Sequence, residues 1–194
     1  MASRSANWAQ LVNCTFAGNS ASNGKALACN SYYPELPDPS NVQLINCIIW
    51  NGGDEIFNAD ESSIVVSYSD IAGGWEGPAN IDADPCFADC DSDDYHLKSR
   101  AGRYDPNSRS WVIDDVTSPC IDAGDPMRPI GYEPFPNGGI VNMGAYGGTA
   151  EASKSYFGKE PCETIVAGDI NGDCEIDFRD FFFVALHWLE NYNQ

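Results

Sequence analysis

Basic residues are scarce in this chain. Its 194 residues include 10 Lys and Arg against 29 Asp and Glu, so the formal net charge is −19 and the pI is about 4.1. Between Ala26 and Leu97 there is neither Lys nor Arg. Because contacts with phosphate groups depend on basic side chains, this composition excludes a nucleic-acid binder that works through a basic surface. It also disfavours docking on anionic membranes.

Long apolar runs are also missing. The longest purely apolar run near the end, Phe181 to Leu186, is far shorter than the roughly 20 residues that a membrane span requires. No basic-then-apolar leader opens the chain, so an exported protein with this sequence would be a fragment or would have lost its leader. Hydrophobic residues still make up 43%, which is enough for a core and argues against disorder.

Cysteine, in contrast, is abundant. Eight cysteines in an acidic chain with 18 Gly and 12 Pro favour an oxidising compartment with disulfides. The alternative is that several of them are buried as small apolar side chains. We therefore expect a protein that is secreted or displayed on the cell surface.

Three short segments, residues 11–16, 44–49 and 66–71, resemble one another. Each is a β-favouring run with alternating apolar residues, and each is followed by a polar or Gly-rich turn. Aligning the three segments gives three sets of equivalent residues: Leu11, Leu44 and Val66; Cys14, Cys47 and Ser69; Phe16, Ile49 and Ile71. The offsets are 33 and 22 residues, and a Pro-rich loop over residues 32–40 accounts for the longer one.

A unit of about 20 residues is too short for a strand, a helix and two connections, but it fits one coil of a solenoid. The repeats therefore predict an all-β fold, a right-handed parallel β-helix whose coils occupy residues 1–84 and stack their equivalent side chains. A β-sandwich with chance similarity is the alternative. We expect residues 85–158, rich in Pro, Gly, Asp and aromatic residues, to form an irregular β cap over the open end, with short strands over residues 95–97, 110–113, 119–121 and 140–143. The open N-terminal coil is a candidate for self-association.

The last part of the sequence carries a calcium-loop pattern. Calcium takes six to eight oxygen ligands, and a twelve-residue loop supplies them from positions 1, 3, 5, 7, 9 and 12. An amphipathic helix follows the loop. The alternative is a solvated acidic turn. The predicted ligands are Asp169, Asn171, Asp173, the backbone carbonyl of Glu175, Asp177 and Asp180.

This loop departs from the EF-hand pattern, with Cys174 at position 6 and Asp180 at position 12. A loop and helix with Asp at position 12 and no preceding helix resembles a type I dockerin repeat. The resemblance implies that residues 159–194 are a small Ca²⁺-binding tail with a cohesin-like partner, although dockerins carry two repeats and this chain shows one. We also predict that Cys162 and Cys174 pair and hold the half-module together.

Other stretches resemble secreted β-helix proteins. The segment Asn13 to Ala21 resembles the Phe-x-x-Asn repeat of right-handed β-helix surface proteins. The stretches Ser118 to Pro126 and Asn142 to Gly148 resemble the C-terminal part of large secreted β-helix proteins from planctomycete-type bacteria. This resemblance implies an architecture and says little about activity, because the fold hosts lyases, hydrolases and adhesins.

The sequence assigns no catalytic residue. A polysaccharide lyase needs a base, and His96 is the only candidate between Ala26 and Leu97. A glycoside hydrolase needs two carboxylates, for which Asp54, Glu55, Asp60, Glu61 and Asp70 are candidates. We expect these acids to be mainly solvated, and the chain to be a non-catalytic segment that binds a cohesin-like domain or carbohydrate. The alternative is the end of a carbohydrate-active enzyme whose active site lies in upstream coils.

Overall fold

The structure, a computed structural model, describes residues 7–31, 38–156, 168, 170 and 176–187. It is mostly β-structure, with one short α-helix. The elements in chain order are β1 (Trp8–Val12), β2 (Thr15–Ala17), β3 (Leu27–Cys29), β4 (Asn41–Ile45), β5 (Ile48–Trp50), β6 (Ile56–Asn58), β7 (Ser63–Ser67), β8 (Asp70–Ile71), β9 (Phe87–Asp89), a 3₁₀ turn (Cys90–Ser92), β10 (Asp94–Leu97), β11 (Arg103–Asp105), β12 (Ser110–Val112) and α1 (Phe178–His187).

The first eight strands form three small parallel sheets. The first sheet has the order β1-β4-β7, the second has the order β2-β5-β8, and the third pairs β3 with β6. The chain therefore visits the sheets in turn and adds one strand to each as it advances. Parallel pairing of this kind argues against the β-sandwich alternative, which is built from antiparallel strands.

The predicted register is confirmed. Leu11 pairs with Leu44 and Leu44 with Val66 in the first sheet. In the second sheet Phe16 pairs with Ile49 and Ile49 with Ile71. These side chains, with Cys14 and Cys47, form one hydrophobic cluster between the sheets. The third sheet was not predicted, because runs of three residues are too short to show a period.

A single left-handed residue joins the first sheet to the second in every unit. Asn13, Asn46 and Tyr68 occupy equivalent positions and have φ of 51°, 55° and 50°. Among residues other than Gly, Asn adopts this conformation most readily. The side chains of Asn13 and Asn46 also stack, since Asn46 Nδ2 donates to Asn13 Oδ1 at 3.1 Å.

The segment after the stacked units contacts them in two places. Residues around Ile81 add a short parallel bridge to β8 and thereby cover the end of the last unit. Residues beyond 85 instead cover the outer face of the second sheet, where Ile48 packs against Phe87, Cys120 and Met143. The reason is that β5 is apolar on both faces, so that its outer face also needs a cover.

The two stretches that resembled secreted β-helix proteins come together in this cover. Asp122 N donates to Asn142 Oδ1 at 2.8 Å, and Met143 N donates to Cys120 O at 2.9 Å. Gly144 (φ +85°) approaches the second sheet so closely that a Cβ atom would lie 2.7 Å from Ile48 Cδ1. Strands predicted over residues 119–121 and 140–143 are wrong, because the first segment forms a turn, the second has no regular secondary structure, and only isolated hydrogen bonds join them.

The remaining strand predictions in this region hold. Residues 95–97 lie in β10, which pairs with β9, and residues 110–112 form β12, which pairs with β11. Both pairs are antiparallel. The division of the chain at residues 84 and 158 stays a prediction. In the described parts of the chain, no helix combines the length and the apolar character required to cross a bilayer.

Asn46 is a direct test of this architecture. It is fully buried, and its Oδ1 accepts a hydrogen bond from Asp125 N at 2.7 Å, which ties the second unit to the cover. We expect Asn46→Ala to lower the free energy of unfolding by about 2–4 kcal/mol, because it leaves the Asp125 N–H unpaired and strains the left-handed backbone. Urea denaturation measures the change.

The matched variant is Asn46→Gly, which loses the same side-chain bonds but accepts a positive φ. It should be less destabilising than Asn46→Ala by about 0.5–1 kcal/mol. Equal stability of both variants and the wild type would contradict the assigned corner geometry.

Candidate functional site

Three of the five acids considered for a hydrolase pair, Glu55, Asp60 and Asp70, are buried rather than solvated as expected, because they accept hydrogen bonds from the chain itself. Glu55 is 4% exposed and accepts hydrogen bonds from Asn51 N at 2.7 Å, Gly53 N at 3.0 Å and Asn51 Nδ2 at 2.7 Å. Its carboxylate thus holds the turn between β5 and β6. Asp54 and Glu61 are exposed turn residues with positive φ.

Asp60 has a similar structural role. Its carboxylate accepts hydrogen bonds from Ser31 Oγ at 2.9 Å and Ser62 Oγ at 2.6 Å. These bonds, with the Ser62 hydroxyl contributing most, hold the pKa of Asp60 below its usual value. The carboxylate therefore links the two loops that lead from the third sheet into the first.

Asp70 is the most unusual acid of the set. It lies on the outer face of the second sheet and is fully buried beneath the cover. Ala83 N donates to its Oδ1 at 3.1 Å, and Cys120 Sγ donates to its Oδ2 at 3.1 Å. Burial raises the pKa of Asp70 to about 6, and it also raises the pKa of the Cys120 thiol. A buried carboxyl paired with an inert thiol joins the two parts of the fold and faces no solvent.

A second buried polar cluster surrounds His96, which is 2% exposed. Its Nδ1 lies 2.5 Å from Asp94 Oδ1, its Nε2 lies 3.6 Å from Glu151 Oε2, and its ring stacks on Tyr146 with centroids 3.6 Å apart. Arg103 Nη1 lies 3.5 Å from Asp94 Oδ2 and brings β11 to the same cluster. These contacts of His96 are all to the chain's own cover segment, which makes it a packing residue rather than a base beside a substrate.

The calcium-loop residues lie only partly within the described chain. Asp169, Asn171, Asp173 and Glu175 are outside the described residues, whereas Asp177 and Asp180 are within them. Asp180 is 3% exposed, and its two oxygens accept hydrogen bonds at 2.8 Å from Ile170 N and Asp177 N. This carboxylate therefore connects loop positions 2, 9 and 12. The described residues alone contain no cluster of three metal-ligating side chains.

Cysteines 14, 29, 47, 86, 90 and 120 are free thiols. Cys29, Cys47 and Cys120 are buried. This agrees with the alternative drawn from the sequence, in which several cysteines serve as small apolar side chains. Burial raises the pKa of Cys47 to about 11, so this thiol is unreactive at neutral pH. The expectation of disulfides has no support among these six residues. The predicted Cys162–Cys174 pair lies outside the described residues and stays a prediction.

The sequence analysis did not identify an open groove of about 250 Å³ on the outer face of the first sheet. The strand alternation carried the signal, because residues that flank the buried columns must face outward. Trp8 is 65% exposed and Val65 is 50% exposed. The groove is lined by Trp8, Asn41, Val42, Gln43, Ser63 and Val65.

These features define a β-rich chain of stacked parallel units with internally bonded acids and an open outer face. The sequence profile of a family described as disaggregatase related matches residues 11–124, and the chain belongs to this family. The match begins in β1 and extends beyond β12 to Gly124, and the calcium-loop pattern lies outside it. Comparison with curated proteins gave no match, and comparison with solved structures gave none either.

The buried Asp70 carboxyl gives a pH prediction. A pKa raised from 3.8 to about 6 stabilises the folded state fully below about pH 3.8, and this contribution is lost as the pH rises through about 6. The shift corresponds to about 3 kcal/mol. We expect Asp70→Asn to raise the free energy of unfolding by about 1–3 kcal/mol at pH 8 and to change it little at pH 4.

Urea denaturation at both pH values, with Asp115→Asn as an exposed control, checks this prediction. The control should behave like the wild type at both pH values. An Asp70→Asn variant that is less stable than the wild type at pH 8 would show that the ionised carboxylate stabilises the fold.

Proposed function

We propose that this chain is a non-catalytic segment of an extracellular or cell-surface β-helix protein, and that it serves attachment. The three parallel units are then coils of a right-handed parallel β-helix, which residues 85–156 cover from the side. The observation that carries the proposal is the fate of the coil acids: Glu55, Asp60 and Asp70 are each consumed by hydrogen bonds from the chain itself. A hydrolase needs two carboxylates that face a sugar.

The tail adds a second means of attachment. In this proposal residues 159–194 are a dockerin-like module in which Asp169, Asn171, Asp173, Glu175, Asp177 and Asp180 hold Ca²⁺. The donor set fits, since calcium prefers carboxylate, amide and carbonyl oxygens. Asp180 supports this, because its carboxylate bonds to Ile170 N and Asp177 N, so the loop already folds back on position 12. The cohesin-like partner would bind this module, and the open edge of β1 would allow self-association.

The second candidate is the end of a carbohydrate-active enzyme. The family description refers to a disaggregatase, which favours an enzyme but names no substrate. In that case the active site would lie in coils upstream of β1. A reducing-sugar assay on neutral polysaccharides distinguishes the two proposals. Activity of this chain itself that disappears in Asp54→Ala, an exposed position, while the fold is retained would place an active site on the described units and replace the attachment proposal with an enzyme.

Calcium dependence tests the tail. A ligand that binds only the folded form stabilises it by about 2.7 kcal/mol at a hundred times its Kd. We expect heat release on titrating the EDTA-treated protein with CaCl₂, and a higher melting temperature in Ca²⁺ than in EDTA. Asp173→Ala should weaken the calcium affinity by about tenfold or more, because it removes a carboxylate ligand.

Glu163→Ala is the matched control, since it removes one acid from the tail but lies outside the twelve-residue loop. It should bind calcium like the wild type. A protein that releases no heat with CaCl₂ and melts identically in EDTA has no calcium site in its tail.

A further inference from the structure

We propose that the outer face of the first sheet binds a neutral polysaccharide chain, and we call this surface the Trp8 face. It consists of six outward residues from the first two outward rows of β1, β4 and β7, namely Trp8, Gln10, Asn41, Gln43, Ser63 and Val65. This inference rests on the proposed attachment function and deepens it, because it names the ligand class and the site on the coils.

The register arranges the Trp8 face in two rows across the strands. Trp8 pairs with Asn41 and Asn41 with Ser63 in one row, and Gln10 pairs with Gln43 and Gln43 with Val65 in the next. Neighbouring positions within a row are about 4.8 Å apart, and the rows are about 6.6 Å apart. A regular polar surface of this kind suits an extended polymer that crosses the strands.

The Trp8 face is exposed where the equivalent face of the second sheet is not. In the second sheet the outward row of Thr15, Ile48 and Asp70 is covered by the segment after residue 85. No segment of the described chain covers Trp8, which stays 65% exposed. Strands added upstream would pair with the edge of β1 and would leave this face open.

The chemistry of the groove is that of a neutral sugar site. An indole ring offers a flat apolar surface for the C–H face of a pyranose, and its N–H can bind a hydroxyl group. Gln10 Nε2 donates to Gln43 Oε1 at 2.8 Å, which uses one donor and one lone pair of the two amides. Each amide has further donors and acceptors for sugar hydroxyls.

Charge selects against acidic polymers. None of the six residues that line the groove is charged, so a hydroxyl-rich ligand meets no ion that must be desolvated. The chain as a whole carries a net charge of −19 and would repel a polyanion. A neutral polysaccharide therefore fits better than a carboxylated one.

Affinity electrophoresis in native gels tests the proposal on the full chain. The gels contain hydroxyethylcellulose, galactomannan or mixed-linkage β-glucan, and calorimetry with polygalacturonate supplies the anionic arm. We expect at least one neutral polymer to retard the wild type and polygalacturonate to give no heat. Trp8→Ala and Gln43→Ala should each weaken binding, the former by about tenfold, because the aromatic platform supplies the largest contact area.

Tyr132→Ala is the matched control, since Tyr132 is 84% exposed but lies outside the groove. It should bind like the wild type, and Trp8→Phe should retain part of the affinity. The ligand class is overturned if no neutral polymer retards the wild type or if polygalacturonate binds more tightly. The site is overturned if Trp8→Ala and Gln43→Ala bind like the wild type, or if Trp8→Ala changes only the sedimentation coefficient, which would assign the face to a second copy of the chain.

These outcomes are separate from those of the attachment proposal as a whole. Calcium binding by the tail and the absence of sugar release can both hold while the Trp8 face fails. Sugar release by the chain would instead remove the attachment proposal and leave the groove as an enzyme subsite.

Discussion

The stacking of equivalent residues in parallel register is the constraint on which the rest of the structure depends. Leu11, Leu44 and Val66 occupy one column, and Phe16, Ile49 and Ile71 occupy the neighbouring one. Because side chains in a strand alternate between faces, this register also decides which residues face outward. The interior columns, the covered face of the second sheet and the open face of the first sheet therefore follow from one pairing.

The corner residues maintain this register. A left-handed residue between the first and second sheets turns the chain within one position, and the repeated use of Asn there adds a polar stack beside the apolar columns. Asn46 has three structural roles. It turns the backbone, donates a hydrogen bond to Asn13 and accepts one from Asp125 N. A buried amide with satisfied partners specifies one arrangement more strictly than an apolar residue would.

The sequence was most informative where side chains repeat. The columns could be predicted because Leu-x-Asn-Cys recurs at Leu11 and Leu44 and in weaker form at Val66. The third sheet could not, because its strands are three residues long. The position of the cover could not either, since nothing local reveals that Ile48 and Ile49 are buried on opposite sides. The acids considered for catalysis could not be interpreted from the sequence either. Glu55 and Asp60 were recognised as candidate carboxylates, but only their hydrogen bonds show that they hold turns.

Ile48 and Ile49 have a consequence for how this fold can grow. Both are fully buried, one in the column between the sheets and the other beneath the cover. Through Ile48 the second unit packs against the cover, which occurs once in the described chain. The interior columns, in contrast, need only another parallel unit stacked beside them. Duplication of units during evolution is thus permitted upstream of β1, where a new strand meets an ordinary edge. An extra unit inserted between β5 and β8 would move Asp70 one rung away from Cys120, while Thr15 and Ile48 would keep their contacts with the cover, so the number of units beneath the cover is fixed.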